Sequence, residues 1–250
     1  MGQKLGFPVR KKVVPDIVIC PSLSIGIQYE EQITLMPQNK SIDILTYNIL
    51  TLNINNIQTP HKISLLHRAL CNMDIDIGLL QEVSIVDLSL LYGYTSIINT
   101  SPGERGTAIV VKNHIQYSDV KMSTDFRGIA VSIGTIKIVN IYAPSGSEKR
   151  RERHEFFTNG ITSLLMNTKN NMILGGDFNS VIEAKDSKGS GNYSPELKTL
   201  TDGLKLLDTW NVRHPKKTLF TYRTQNAASR LDRFYIDKGL LPDLRSDDVC

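Results

Sequence analysis

Cysteine is scarce: Cys20, Cys71 and Cys250 are the only three in 250 residues, far apart and odd in number. That excludes a disulfide framework and the paired spacing of a structural zinc site, and it points to a reducing compartment. Long apolar runs are missing too. Val13 to Ile19 is broken by Pro15 and Asp16 and is far too short to span a bilayer. Lys4, Arg10, Lys11 and Lys12 come before it without the apolar run that a cleavable signal needs. No repeat or low-complexity tract stands out. Charge of one sign is in small excess, with 29 basic and 25 acidic residues giving +4. That suits nucleic acid, but it suits many small-substrate enzymes equally. What is present is 40% hydrophobic and 22% charged, the composition of a globular chain with a real core. The length fits one large α/β domain or two small ones.

Residues 1–40 carry Pro8, Pro15, Pro21 and Pro37 and little sustained periodicity. They read as a flanking arm, either a leader without fixed structure or a basic segment touching phosphate. From Ser41 the pattern changes. Ile42 to Ile54 reads as a buried strand. Thr59-Pro60 is a helix start, and Ile63, Leu66, Leu70 and Met73 give that helix one apolar face. Asp76 to Leu80 and Thr107 to Val111 read as strands. Ile129 to Ile133 and Ile136 to Ile141 flank Gly134-Thr135 as a hairpin. One amphipathic helix is expected from about Glu148 to Met166, then a short strand from Met172 to Leu174. Leu197, Leu200, Leu204 and Leu207 mark another helix, and Phe220 to Tyr222 and Leu231 to Ile236 read as late strands. The alternation of periods suggests strands in sheets with helices outside.

Several acids and amides fall at strand ends. Asn53 and Asn55 end the first long strand, Glu82 follows Leu79-Leu80-Gln81, Asp177 and Asn179 follow Ile173-Leu174, and Asp232 opens the last strand. Each alone has a plain reading as a turn residue or helix cap. If the ends converge, they make an oxygen-rich site suited to Mg²⁺, which takes only one or two protein carboxylates. Such a site suits phosphoester hydrolysis, in which a metal offsets phosphate charge and a carboxylate handles water.

These residues carry a resemblance. Gly175-Gly176-Asp177-Phe178-Asn179-Ser180 is similar to the GDFN motif of the endonuclease/exonuclease/phosphatase (DNase I-like) superfamily. Four further segments resemble its motifs in the family's order. Leu52-Asn53-Ile54-Asn55 resembles the motif supplying an active-site Asn, and Leu80-Gln81-Glu82 the one whose Glu ligates Mg²⁺. Asn140-Ile141-Tyr142-Ala143-Pro144 resembles the motif whose Tyr lines the site. Ser229-Arg230-Leu231-Asp232-Arg233 resembles the one whose Asp holds the catalytic His. Thr46-Tyr47-Asn48-Ile49 rivals the first of these; Asn53 is preferred because it stands at about the usual distance from Glu82 in retrotransposon members. Arg105-Gly106-Thr107-Ala108-Ile109, Leu207-Asp208-Thr209-Trp210 and Phe220-Thr221-Tyr222 resemble segments of LINE-type retrotransposon endonucleases in particular.

The resemblance covers residues 41–250 and implies a four-layer α/β sandwich of two packed mixed sheets with outer helices. It implies a Mg²⁺-dependent endonuclease, with Mn²⁺ as the alternative ion, that nicks one strand of DNA. Glu82, Asn53 and Asn55 would hold the metal. Asp177, Asn179, Tyr142, Asp232 and Asn53 would do the chemistry, and Arg105 and Arg230 would meet DNA phosphates; surface charge is the plainer reading of both arginines. The partner would be DNA, together with a reverse transcriptase region of the same element that these residues do not contain, and the location nuclear, as a DNA substrate implies, or otherwise cytoplasmic, and not secreted. Two alternatives are an apurinic-site nuclease or phosphatase of the same superfamily, and an inactive DNA-binding module. The family's closing Ser-Asp-His is expected beyond Cys250. Arg245-Ser246-Asp247-Asp248 offers no His, and His61, His67, His114, His154 and His214 all read as structural or exposed. A domain lacking its last strand, with an open sheet edge and doubtful activity, is therefore expected.

Overall fold

A computed structural model describes residues 31–35, 47–57, 59–84, 87–166, 171–189 and 191–249. Two six-stranded sheets carry the fold. The first is built from β1 (Glu31–Leu35), β2 (Tyr47–Asn53), β3 (Ile77–Val83), β4 (Tyr94–Asn99), β5 (Gly106–Lys112) and β15 (Leu244–Val249), in the order β15-β1-β2-β3-β5-β4. The second contains β6 (Ser118–Met122), β7 (Gly128–Ile133), β8 (Ile136–Tyr142), β9 (Met172–Asp177), β11 (Leu206–Asp208) and β14 (Asp232–Asp237), in the order β11-β14-β9-β8-β7-β6. A small third sheet joins β10 (Ser187–Lys188), β13 (Ala228–Ser229) and β12 (Tyr222–Arg223). Both large sheets are mixed: β2 runs parallel to β3, and β8 to β9, while their other neighbours run antiparallel. This is the expected α/β sandwich.

The two-residue period decides which face meets which layer. Ile49, Ile77, Leu79, Ile109 and Val111 of the first sheet pack against Ile129, Val131, Ile138, Ile173 and Phe234 of the second. The alternate residues Leu50, Leu52, Leu80, Ala108 and Val110 point outward, onto Ile63, Leu66 and Leu70 of α1 (Pro60–Asn72). Thr59 caps α1 as expected, its side chain accepting from the Lys62 N–H at 3.3 Å. Val139, Ile141 and Leu174 face outward from the second sheet, onto Phe156, Phe157, Ile161 and Leu164.

The single helix expected over Glu148 to Met166 is interrupted. It is α2 (Arg150–Glu155), a π-turn over Phe156–Gly160, and α3 (Thr162–Leu165). Phe156 and Phe157 are both buried, and a wide turn serves adjacent large side chains better than a regular 3.6-residue period does. Leu207 also differs from expectation. The helix of Leu197 and Leu200, α4 (Pro195–Gly203), stops at Gly203, and Leu207 sits in β11 beside Ile236. α5 (Thr209–Arg213) follows directly, capped by Asp208.

Of the arm expected over residues 1–40, only Glu31–Leu35 is described, and it is β1, hydrogen-bonded to both β2 and β15. The first sheet therefore extends into the segment read as an arm, and β15 lies outside β1. The start of the strand read from Ile42 lies outside the described residues. No helix among the described residues is long and apolar enough to cross a membrane.

Candidate active site

Strand direction gathers the polar ends. β2, β3, β8 and β9 all finish at one end of the sandwich, delivering Asn53, Glu82, Tyr142 and Asp177. β5, β7 and β14 run antiparallel to their neighbours in that group and begin there. Residues just before or at their starts, Arg105, Arg127 and Asp232, therefore reach the same end. Tyr142 lies beside Asp177 in register across β8 and β9, and Asp232 lies opposite Asp177 across β14 and β9.

Glu82 would point into the α1 layer if β3 kept strict alternation. Instead the ladder slips between Gln81 and Val83, and Glu82 adopts φ 56°. Such a bulge re-aims one side chain at a local conformational cost. Gly176 serves the same end: at φ 137°, a Cβ there would stand 2.0 Å from the Ile141 carbonyl oxygen. Only glycine lets β9 press this closely on β8 just before Asp177.

Asn53 joins the two acids. Its Nδ2 donates to Glu82 Oε1 at 3.0 Å and to Asp177 Oδ2 at 3.1 Å, while its Oδ1 accepts from the Asn55 N–H at 3.0 Å. Asn55 is exposed, and its backbone, rather than its amide group, meets the cluster. The rival Asn48 lies at the far end of β2, its Nδ2 donating to the Asp74 carbonyl at 3.0 Å. Asn179 donates its N–H to Asp177 Oδ1 at 2.9 Å and its Nδ2 to the Ala143 carbonyl at 2.9 Å. Asp232 is buried, and its N–H donates to Thr221 Oγ1 at 3.1 Å.

Burial pushes the Asp177 carboxyl up to about 6, against the lowering effect of the Asn179 and Asn53 hydrogen bonds and with the Glu82 charge adding to the rise. Burial, then the charges of Glu82 and Asp177, also raises the Tyr142 phenol. Two cations approach from the rim. Arg105 Nη1 donates to Glu82 Oε2 at 2.6 Å from a half-exposed position. The Arg127 guanidinium lies 5.0 Å from the Tyr142 ring centroid and donates to the Tyr142 carbonyl at 3.3 Å.

Arg230 is a correction. It is fully buried, not facing DNA: its Nε donates to Asp186 Oδ1 at 3.0 Å, and its Nη1 and Nη2 to the two Asp208 oxygens at 2.9 and 2.5 Å. Arg127 was missed because nothing in Asp125-Phe126-Arg127-Gly128 marks it before the β6–β7 connection is placed. The buried amide pair was missed as well. Gln81 Nε2 donates to Asn140 Oδ1 at 2.7 Å, and Asn140 Nδ2 donates to the Leu80 and Ala108 carbonyls at 2.9 and 2.8 Å, tying the sheets together behind Glu82. An Asn inside the apolar run Ile136–Ile141 was the available signal. Among the histidines, His154 pairs with Glu196 at 2.8 Å, His67 meets the Tyr92 carbonyl, and His214 packs on Trp210.

No group of three or more His, Cys, Asp or Glu side chains among the described residues could hold a metal. The cluster offers no thiolate or imidazole cage. It offers two carboxylates sharing one amide, with a guanidinium already seated on one of them. That donor set fits a hard cation that keeps most of its water.

The sequence pattern of the endonuclease/exonuclease/phosphatase family matches residues 45–247. The chain belongs to that family. Over 125 residues it is 31% identical to the transposon TX1 uncharacterized 149 kDa protein of Xenopus laevis, a match covering 46% of this chain and 9% of that protein. The chain thus spans less than a tenth of this relative's length. Its fold is similar to the 3′ phosphatase NExo of Neisseria bound to product DNA hairpin (TM-score 0.65, 19% identity, 76% of this chain and 86% of that one). It is also similar to the endonuclease domain of TRAS1, a telomere-specific non-LTR retrotransposon (TM-score 0.55, 18% identity, 78% and 87%).

Proposed function

We propose that this family member is a Mg²⁺-dependent endonuclease that nicks one strand of DNA, as LINE-type retrotransposons require. The observation that carries the reading is the cluster in which one Asn53 amide bridges Glu82 and Asp177 at the strand-end cleft. The likeness to the TX1 protein and to the TRAS1 domain directs the choice within the family. The DNA product bound by the Neisseria neighbour supports DNA as the substrate class.

Glu82 and Asn53 would hold Mg²⁺, or Mn²⁺ in its place, with Asn55 at the rim. When bound, the ion offsets charge on the scissile phosphate. Asp177, raised to about 6 by burial, is ionised at neutral pH yet basic enough to accept a proton from an attacking water. The water oxygen bonds to phosphorus, its proton passes to Asp177, and the P–O3′ bond breaks to leave a 3′-hydroxyl and a 5′-phosphate. Asn179 and Tyr142 would contact the phosphate, Asp232, buried opposite Asp177, would stand where the family's His-holding Asp stands, and the leaving oxygen would take its proton from water. Arg105 and Arg127 would meet backbone phosphates. The 3′-hydroxyl would be the primer that a reverse transcriptase of the same element extends, and a DNA substrate would put the reaction in the nucleus.

The test is conversion of supercoiled plasmid to open circle with Mg²⁺, beside chelator and Asp177→Ala. Nicking that falls about 10²–10⁴-fold in the variant and vanishes with chelator is expected. Equal nicking by the variant, or none by folded wild type, would overturn the reading.

A further inference from the structure

Both oxygens of the Glu82 carboxylate are engaged, by partners of very different character. Oε1 accepts from Asn53, whose side chain is buried and held on its other side by Asn55 and Asp177. Oε2 accepts from Arg105 Nη1, and the Arg105 side chain is 53% exposed against 15% for Glu82. Arg105 follows a turn, Ser101 to Glu104, with Gly103 at φ 88°, and has a long stem that can swing into solvent. Glu82 cannot retreat, because the bulge and the buried Gln81–Asn140 pair fix its backbone. Of the two partners, only Arg105 can leave.

We infer that Arg105 is a positioning residue that holds Glu82 aimed into the cleft and yields Oε2 when a divalent cation arrives. This rests on the reading of Glu82 as the cation ligand. A guanidinium and a hydrated divalent ion compete for the same lone pairs, so Arg105 lowers cation affinity. The displaced guanidinium stays tethered at the cleft rim, where DNA phosphate is the anion left for it. Exchange thus couples filling of the cation site to release of a phosphate-binding group.

Mn²⁺ titration followed by electron paramagnetic resonance reads the competition without catalysis. Wild type, Arg105→Ala, Arg105→Lys and Glu82→Gln would be compared, each checked for a native melting transition. Arg105→Ala is expected to bind Mn²⁺ about two- to fivefold more tightly, the scale of a half-exposed ion pair. Arg105→Lys should fall between it and wild type, and the gap should narrow as salt screens the pair. Unchanged or weaker Mn²⁺ binding by Arg105→Ala, with Glu82→Gln still impaired, would overturn the inference alone. If Glu82→Gln binds Mn²⁺ as well as wild type does, the reading of the site falls and takes this inference with it.

Discussion

Two carboxylates in the second sheet, the buried Asp177 and the largely shielded Asp208, stand in opposite states. Asp177 ends β9, 4% exposed, with hydrogen bonds from two amide-bearing residues and the Glu82 charge nearby. Burial raises it to about 6. Asp208 caps α5 with its side chain 10% exposed, beneath Arg230 and Arg233, both fully buried. Burial would raise Asp208 too, but the Arg230 charge and hydrogen bonds, then Arg233, outweigh it and hold the carboxyl below its usual range. Similar desolvation thus gives opposite shifts, decided by whether a cation is built in. The scaffold pairs its charges. The cleft leaves a carboxylate without a built-in cation, which costs stability and keeps the group basic enough to take a proton.

The comparison breaks or holds on a paired substitution. Asp177→Asn removes a buried charge that the fold does not neutralise, so stability should hold or rise while nicking falls about 10²–10⁴-fold. Arg230→Met leaves Asp208 and Asp186 to Arg233 alone, and should cost up to about 3–5 kcal/mol of folding free energy. Urea unfolding beside plasmid nicking separates the two. If Arg230→Met leaves the unfolding midpoint unchanged, the scaffold role assigned to the Arg230 cluster is wrong.

Protons sharpen the same contrast. The folded protein keeps a proton on Asp177 between about pH 4, the ordinary carboxyl value, and about 6, where the unfolded chain has released it. Its contribution favours folding below about pH 4, is lost as pH rises to about 6, and is flat above. Asp208 has the opposite sign: its contribution is present above the ordinary carboxyl range and lost as pH falls through its lowered pKa. With chelator present, the stability of wild type relative to Asp177→Asn should fall with rising pH, and that relative to Asp208→Asn should rise. Slopes of the same sign would refute the assignment.

How far each region was legible in sequence follows from the same physics. The core strands were readable because one-sided burial enforces a two-residue period, as in Ile136 to Ile141, and α1 because Thr59-Pro60 and its apolar spacing agree. Glu82 and Asp177 stood out as carboxylates where apolar strands finish. Arg230 did not, because a buried guanidinium and a DNA-facing one look alike until Asp186 and Asp208 are brought to it from 44 and 22 residues away. The β1 strand escaped notice because Glu31–Leu35 is short, and its pairing to β2 and β15 is a long-range property.

The smallest expected effect tests which amide sets Asp177. The Asn53 hydrogen bond lowers Asp177 against the pull of burial, so Asn53→Ala should raise the carboxyl further. The acid limb of the nicking–pH profile should then move up by about one unit, the scale of one hydrogen bond to a charged group. Asn48 stands at the other end of the same strand, where its N–H donates to Asp76 Oδ2 at 2.8 Å and its amide reaches the Asp74 carbonyl. Asn48→Ala therefore removes a comparable amide from the same sheet without touching Asp177, and its acid limb should coincide with that of wild type. If both variants moved the limb equally, the shift would reflect a general loosening of β2 rather than the bridge. A limb moved by Asn53→Ala alone would show that the Asn53 amide, beside the Asn179 N–H, helps keep Asp177 ionised at neutral pH despite its burial.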